Sequence, residues 1–373
     1  MSNPGMSNPA GRKLRLALLY GGRSAEHAVS VVSARSVIEA LDPERFEVVP
    51  IGITREGAWM LPRTSPLELT APEGGLPEVE AAGNSIALRP EQRAGGLTRA
   101  DGAPGQLGQI DVVLPILHGP YGEDGTVQGL FELADLPYVG SGVLASALAM
   151  DKSMAKVVLA QTGLAQGPYL VVRELQWRAD PAAVAARVAE RLAYPVFTKP
   201  ARLGSSIGIT KVKSPGELAD GMEAAFAHDA KVLVEQGLVA RELEVGVIGN
   251  QTPEASVVGE VVPGHEFYDF EAKYLDESSK LVIPAPLSTA VAERTRELAV
   301  RAFQALDCEG FARVDFFYRD ATSEVLVNEV NTIPGFTPKS MFPMLWDASG
   351  LPYPELIAHL VDLAVERHQA RKG

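Results

Sequence analysis

Cysteine is nearly absent: Cys308 is the single one in 373 residues. No internal disulfide can form, so a stapled secreted scaffold is excluded and a reducing, cytoplasmic setting is expected. Cys308 itself reads as a small, half-buried residue at a helix-to-strand junction. Long apolar runs are missing too, and none approaches the ~20 residues of a membrane span. The opening M-S-N-P-G-M-S-N-P-A has no apolar signal-peptide core and reads as a disordered tail over residues 1–13.

Basic residues are in deficit. Lys and Arg number 34 against 47 Asp and Glu, a net charge of −13, which argues against a broad nucleic-acid footprint and leaves room only for locally concentrated cations. Two phosphate-binding signatures are absent as well: no G-x-G-x-x-G follows the first strand, and no G-x-x-x-x-G-K-[ST] occurs anywhere. The length exceeds one ordinary core and predicts two or three domains.

The buried-looking run Leu14–Tyr20 leads into Gly21-Gly22, a helix is expected over about Ala28–Leu41, and Phe46–Ile53 reads as a second strand. That order predicts a parallel α/β sheet with ligand groups at its carboxyl end. Residues 62–109, rich in Pro, Gly and Glu, read as a loop-dominated insertion with one short strand at Ser85–Leu88. Ile110–Leu117 returns as a strand. One helix is expected from near Ser146, carrying Asp151, Lys152 and Lys156, followed by a strand at Val171–Val172 and a helix over Ala182–Leu192. Pro195–Lys199 and Ile209–Val212 flank a Gly/Ser loop, and Lys231–Glu235 is a strand leading towards a third region. There Glu242–Gly249, Ser256–Val262, Gly310–Tyr318 and Glu324–Glu329 read as antiparallel strands, with helices at Thr289–Leu306 and Tyr353–Arg367. The fold class expected is α/β with α+β parts: residues 14–144, 145–233 and 234–373 form three domains, with a lid at about 263–283.

The strongest chemical signal is G-F-A-R-V-D-F-F followed by V-L-V-N-E-V-N-T-I-P-G. Residues two apart on a strand share a face, so Arg313 goes with Asp315 and Glu329 with Asn331. If the strands pair, Asp315, Glu329 and Asn331 form an oxygen cluster suited to Mg²⁺ shared with phosphates. The competing reading is a buried ion pair between Arg313 and Glu329. In T-K-P-A-R-L-G-S-S-I-G-I, Gly204 and Gly208 allow close backbone approach, the hydroxyls of Ser205 and Ser206 can meet phosphate oxygens, and Lys199 adds a cation. H-G-P-Y-G-E-D-G places His118 at a strand end, where either a ligand contact or a plain turn is possible. Glu26, near a helix start beyond the Gly21-Gly22 turn, can hold an ammonium group. F-Y-D-F-E-A-K-Y-L reads either as a surface loop or as a lid over a water-sensitive intermediate.

Taken in order, H-G-x-x-G-E-D-G, G-S-S-x-G, E-A-K-Y and N-E-x-N-T-x-P-G resemble the D-alanine–D-alanine ligases of the ATP-grasp superfamily, over about Leu14 to Glu366. The resemblance implies a three-domain ATP-grasp fold with an N-terminal parallel-sheet domain. It also implies ATP-dependent joining of two D-alanines for peptidoglycan precursors, through an acyl phosphate. Lys152, Lys199, Ser206 and Lys273 would meet the ATP phosphates, Glu235 the adenine edge and Glu242 the ribose. Asp315, Glu329 and Asn331 would hold two Mg²⁺ or Mn²⁺ ions. Glu26 would bind the first ammonium in a network with Ser205 and Tyr274, with His118 near that substrate, while Ser340 and Met341 would receive the second carboxylate. Arg313 and the Gly335 N–H would stabilise the tetrahedral oxyanion. A homodimer is implied, and neither a nucleic-acid nor a membrane partner. Intact Tyr274 favours a dipeptide product over D-alanyl-D-lactate, and a D-serine acceptor stays open.

Overall fold

The computed structural model describes residues 12–62, 67, 77–88, 96–99, 106–263 and 280–372. Strand β1 (Leu14–Gly21) is buried on both faces along most of its length, as expected for the middle of a parallel sheet. It lies parallel to β2 (Phe46–Ile53) on one side and β7 (Val112–Pro115) on the other. Helix α1 (His27–Ala40) makes the crossover from β1 to β2.

The sheet is not wholly parallel, and among its described residues the insertion holds more strands than the one expected. The short strands β3 (Trp59–Pro62), β4 (Gly83–Leu88), β5 (Gly96–Arg99) and β6 (Gln106–Gln109) extend it antiparallel to seven strands, ordered β6-β5-β4-β3-β2-β1-β7. Each is four to six residues long. In β4 only Ile86 is buried, so too little alternation is present to betray a strand in sequence. Helix α2 (Thr126–Leu133) follows the H-G-P-Y-G-E-D-G segment.

The single helix expected from Ser146 is two, α3 (Val143–Met150) and α4 (Lys152–Gln161). They break at Asp151, which is extended and whose carboxylate accepts from the N–H groups of Ser153 and Met154. A second sheet contains β8 (Tyr169–Arg173), β9 (Val196–Pro200), β10 (Thr210–Val212) and β11 (Lys231–Gln236), ordered β10-β9-β11-β8 with every pair antiparallel. Strand β11, expected to lead onward, is an inner strand of this sheet. Helices α5 (Glu174–Ala179), α6 (Pro181–Arg191) and α7 (Leu218–Phe226) accompany it around a separate core that includes Val172, Val188, Met222 and Val232.

The third sheet is antiparallel, with β12 (Arg241–Gly249), β13 (Glu254–Val262), β14 (Lys280–Val282), β15 (Gly310–Arg319) and β16 (Glu324–Asn331) in the order β14-β13-β12-β15-β16. Helix α8 (Thr289–Ala305) precedes β15, with Cys308 buried at their junction. Helix α9 (Met341–Ala348) was not legible beforehand. It is short and carries Pro343 in its first turn, where a missing N–H costs no helical bond. Helix α10 (Tyr353–Ala370) ends the described chain.

The first and third sheets are joined by a common core. Leu16, Leu18 and Tyr20 of β1 belong to one buried cluster with Phe336, Phe342, Trp346, Leu356 and Leu360. Arg367 of α10 fixes the join, donating to the Tyr138 carbonyl at 2.8 Å and to that of Gly140, with its guanidinium 4.4 Å from the Tyr138 ring centre.

Candidate active site

Strand register brings the expected cluster together. Glu244 on β12 stands opposite Asp315 on β15, which stands opposite Glu329 on β16, and Arg313 faces Asn331 one pleat away. Arg313 binds Asp315 through both carboxylate oxygens at 2.7 and 2.8 Å, and Asn331 donates to Asp315 at 2.9 Å. The alternative pair of Arg313 with Glu329 is not what forms. The second acid on Arg313 is Glu244, at 2.9 Å, while Glu329 sits 3.3 Å from Lys152. Burial works against the Arg313 charge, but Asp315 and Glu244 outweigh it and hold its pKa well above the ordinary value. Glu244 was missed in sequence, although E-L-E places it on the same strand face as Glu242.

The donor set of two carboxylates and an amide consists of hard oxygens and fits a divalent cation shared with phosphate oxygens. Among the described residues no three acid, His or Cys side chains already gather as a closed metal cage. An ion here would compete with Arg313 for Asp315.

A second charged group lies between the second and third sheets. Glu235 at the end of β11 takes Lys156 on one oxygen at 2.8 Å and Lys199 on the other at 2.5 Å. Burial opposes its ionisation, yet the two ammonium groups pull its pKa from 4.5 down to about 2. Lys199 is raised in return. Burial is the largest influence and acts against it, and Glu235, Glu329 and Glu242 overcome it. Lys156, 3% exposed, is a further cation whose role sequence reasoning left unassigned. Lys152, the first residue of α4, donates to the Leu203 carbonyl at 2.8 Å and so reaches into the Gly/Ser loop.

That loop is shaped by its serines as much as by its glycines. Ser205 (φ +49°) and Ser206 (φ +59°) are both left-handed, as is Gly208 (φ +71°). Such conformations in consecutive non-glycine residues are strained and persist where surroundings impose them. Ser205 Oγ donates to Glu26 across 179 residues. Glu26, 7% exposed, precedes α1 without capping it, so its carboxylate is directed elsewhere. A Cβ on Gly119 or Gly204 would approach Glu26 Oε2 to 3.0 and 3.2 Å, so both loops close on that carboxylate. The neighbouring His27 bonds Gly22 O at 2.7 Å and accepts from the Val79 N–H at 3.0 Å, and burial lowers its pKa. This neutral ring braces the turn that carries Glu26.

His118 is buried and donates from Nδ1 to Ile333 O at 2.9 Å, while Nε2 has no hydrogen-bond partner among the described residues. Glu123 of the same motif was not singled out from sequence. Burial first, and then the nearby Glu26, push its carboxyl up to about 8.

A cavity of about 400 Å³ collects many of these groups: Glu26, His118, Glu123, Ser205, Glu244, Arg313, Glu329, Asn331, Gly335, Lys339, Ser340 and Met341. Ser340 and Met341 open α9, whose first N–H groups favour an anion. A Cβ on Gly335 would come within 3.1 Å of Ser340 Oγ, so this turn accepts glycine readily and larger residues poorly. Lys199, Glu235 and Glu242 lie outside this cavity, along the cleft between the second and third sheets. Lys273 and Tyr274 lie outside the described residues.

Three sheets in this arrangement, with charged side chains from the second and third facing one cleft, define an ATP-grasp ligase. Two family models cover most of the chain: the D-ala D-ala ligase N-terminus over residues 15–141 and the D-ala D-ala ligase C-terminus over residues 158–362. The chain belongs to this D-alanine–D-alanine ligase family. It is 48% identical over 360 residues to the D-alanine--D-alanine ligase of Geobacillus kaustophilus, covering 96% of this chain and 97% of that one. The D-alanine-D-alanine ligase structure from Coxiella burnetii superposes with a TM-score of 0.83 at 34% identity, covering 96% of both chains. A D-Ala:D-Ser ligase structure from Enterococcus faecalis gives a TM-score of 0.81 at 34% identity, covering 95% of this chain and all of that one.

Proposed function

We propose that the protein joins two D-alanines into D-alanyl-D-alanine, consuming ATP and releasing ADP and phosphate. The observation that carries this reading is the cavity in which Glu26 and Ser205 face Arg313, Gly335 and the start of α9. It offers an anion for an ammonium group, cations for developing negative charge, and a helix N-terminus for a second carboxylate.

A carboxylate is a poor electrophile, so the first D-alanine is activated by taking the γ-phosphoryl group of ATP. Lys152, Lys199 and the Ser205-Ser206 backbone hold the phosphates in place, since this transfer needs positioning and charge neutralisation more than covalent help. Asp315, Glu329 and Asn331 would hold Mg²⁺ or Mn²⁺, two ions in this proposal, which when bound neutralise phosphate charge. Glu26 holds the first ammonium. The second amine then attacks the acyl phosphate, Arg313 and the Gly335 N–H stabilise the oxyanion, and phosphate leaves. Ser340 and Met341 receive the second carboxylate, helped by Lys339 beside them. Glu242 is assigned to the ribose hydroxyls. Glu235 is assigned to the adenine edge, and its carboxylate also holds Lys156 and Lys199. Lys273, at the γ-phosphate, and Tyr274, in the network with Ser205 and Glu26, are assigned through family resemblance alone. A cytoplasmic homodimer completes the proposal.

Phosphate release is measured with ATP, Mg²⁺ and D-alanine, then with D-alanine plus D-serine or D-lactate, and the products are weighed. D-alanine-dependent phosphate with D-alanyl-D-alanine as the main product is expected. No D-alanine-dependent phosphate overturns the reading.

A further inference from the structure

Glu123 belongs to the H-G-P-Y-G-E-D-G motif, yet the chemistry above gives it no task. Its two oxygens are both occupied by backbone N–H groups. Oε2 accepts from Gly119 at 2.7 Å, within its own loop, and Oε1 accepts from Ile333 at 2.9 Å, 210 residues away. The same loop takes the other side of Ile333, because His118 Nδ1 lies 2.9 Å from Ile333 O. A carbonyl oxygen can only accept, so Nδ1 carries the proton.

These contacts act on two different peptide planes. The Ile333 N–H belongs to the plane before its Cα, and the Ile333 carbonyl to the plane after it. With both planes held, neither backbone torsion of Ile333 can turn freely. The next residue is Pro334, whose ring fixes φ. A single soft torsion, ψ of Pro334, then remains between the clasp and the N–H of Gly335. With one oxygen on Gly119 and the other on Ile333, the buried Glu123 carboxyl ties the two loops to each other.

We infer that Glu123 is a positioning residue for the oxyanion-stabilising peptide: with His118 it clasps Ile333 and so aims the Gly335 N–H at the reacting carbon's oxygen. This rests on the reading that Arg313 and Gly335 stabilise the tetrahedral oxyanion. Loosening the clasp leaves ATP binding and acyl-phosphate formation in place but slows amine attack. The waiting acyl phosphate is then cleaved by water, which returns the carboxylate and releases phosphate without dipeptide.

The test is the ratio of phosphate released to dipeptide formed, measured with saturating ATP, Mg²⁺ and D-alanine. In Glu123→Gln one acceptor oxygen becomes an amide that cannot accept, so one arm of the clasp is lost at nearly constant volume. Dipeptide turnover should fall roughly tenfold or more, a share of the ~10²–10³ seen when an oxyanion donor is removed outright. The KM for ATP should stay within about twofold, and the ratio should rise clearly above the wild-type value of one. Glu123→Asp, which can reach only one of the two loops, should show the same signature and serves if the Gln variant does not fold. Phe131→Leu, a core change in α2 where it packs on the first sheet, controls for lowered stability and should keep the ratio at one. Arg313→Lys separates the two claims. If it raises the ratio and the Glu123 variants leave it at one, the clasp is refuted and the oxyanion reading stands. If no variant raises it, both fall.

Discussion

Replacing Glu235 by Gln should destabilise the protein sharply, because it strands two buried ammonium groups. Lys156 and Lys199 approach the carboxylate to 2.8 and 2.5 Å, and Glu235 and Lys156 are only 8% and 3% exposed. At an effective dielectric constant of about 20, each contact is worth roughly 6 kcal/mol in Coulomb terms, most of it offset by desolvation. Two routes give the net. Breaking a buried pair by removing one partner typically costs about 3–5 kcal/mol. The depression of the Glu235 pKa from 4.5 to about 2 corresponds to roughly 3 kcal/mol of preference for the charged form in the fold. A loss near 3–5 kcal/mol should lower the apparent melting temperature by roughly 6–20 °C, read by circular dichroism or dye binding on nucleotide-free protein at neutral pH. The sign with pH follows. Glu235 is depressed in the folded state, so its contribution is complete above about 4.5 and fades as pH falls towards 2. The gap between wild type and variant should therefore narrow across that window. Adding Lys156→Met, which removes one stranded charge at similar volume, should recover part of the loss. A drop of less than about 2 °C at neutral pH, or a gap that widens on acidification, would refute the reasoning.

Two further expectations concern named groups. Burial pushes the Cys308 thiol up to about 12 and leaves it 4% exposed, so a thiol reagent at pH 8 should label it only after denaturation; native labelling at the rate of an open thiol would contradict this. Glu26→Gln removes the charge that Ser205 and the two glycine loops surround, and should raise the KM of the first D-alanine by roughly 10- to 150-fold, the value of a charged hydrogen bond. An unchanged KM in steady-state assays would argue that Glu26 serves the loop alone.

Much of this site was readable because strands obey a period of two. That rule put Arg313 with Asp315, and Glu329 with Asn331, before any pairing was known, and the register of β15 against β16 brings the two sets together. The same rule did not reveal which acid would hold Arg313, because strand order decides neighbours, and β12 delivers Glu244 from about 70 residues away. Glu123 was invisible for a related reason: its partners are backbone N–H groups, which leave no mark on sequence. Helix α9 hid behind Pro343, and β3–β6 were too short to show a period. Asp151 reads as one polar residue within a helix until its carboxylate is seen capping α4 and pairing with Lys231.

The core shared by β1 and the C-terminal helices also governs how the chain can acquire its shape. The strands made first, Leu14–Gly21 and Phe46–Ile53, close their inner face against Phe342, Leu356 and Leu360, which are made last. During synthesis α1 can cover part of that face, but the part that meets the C-terminal helices stays open until they have emerged, whereas the second sheet can bury its own core as soon as β11 is complete. Folding should therefore run from the middle outwards, with the segment between about 169 and 236 ordered early and the packing of β1 against α9 and α10 as the final, slow, long-range event.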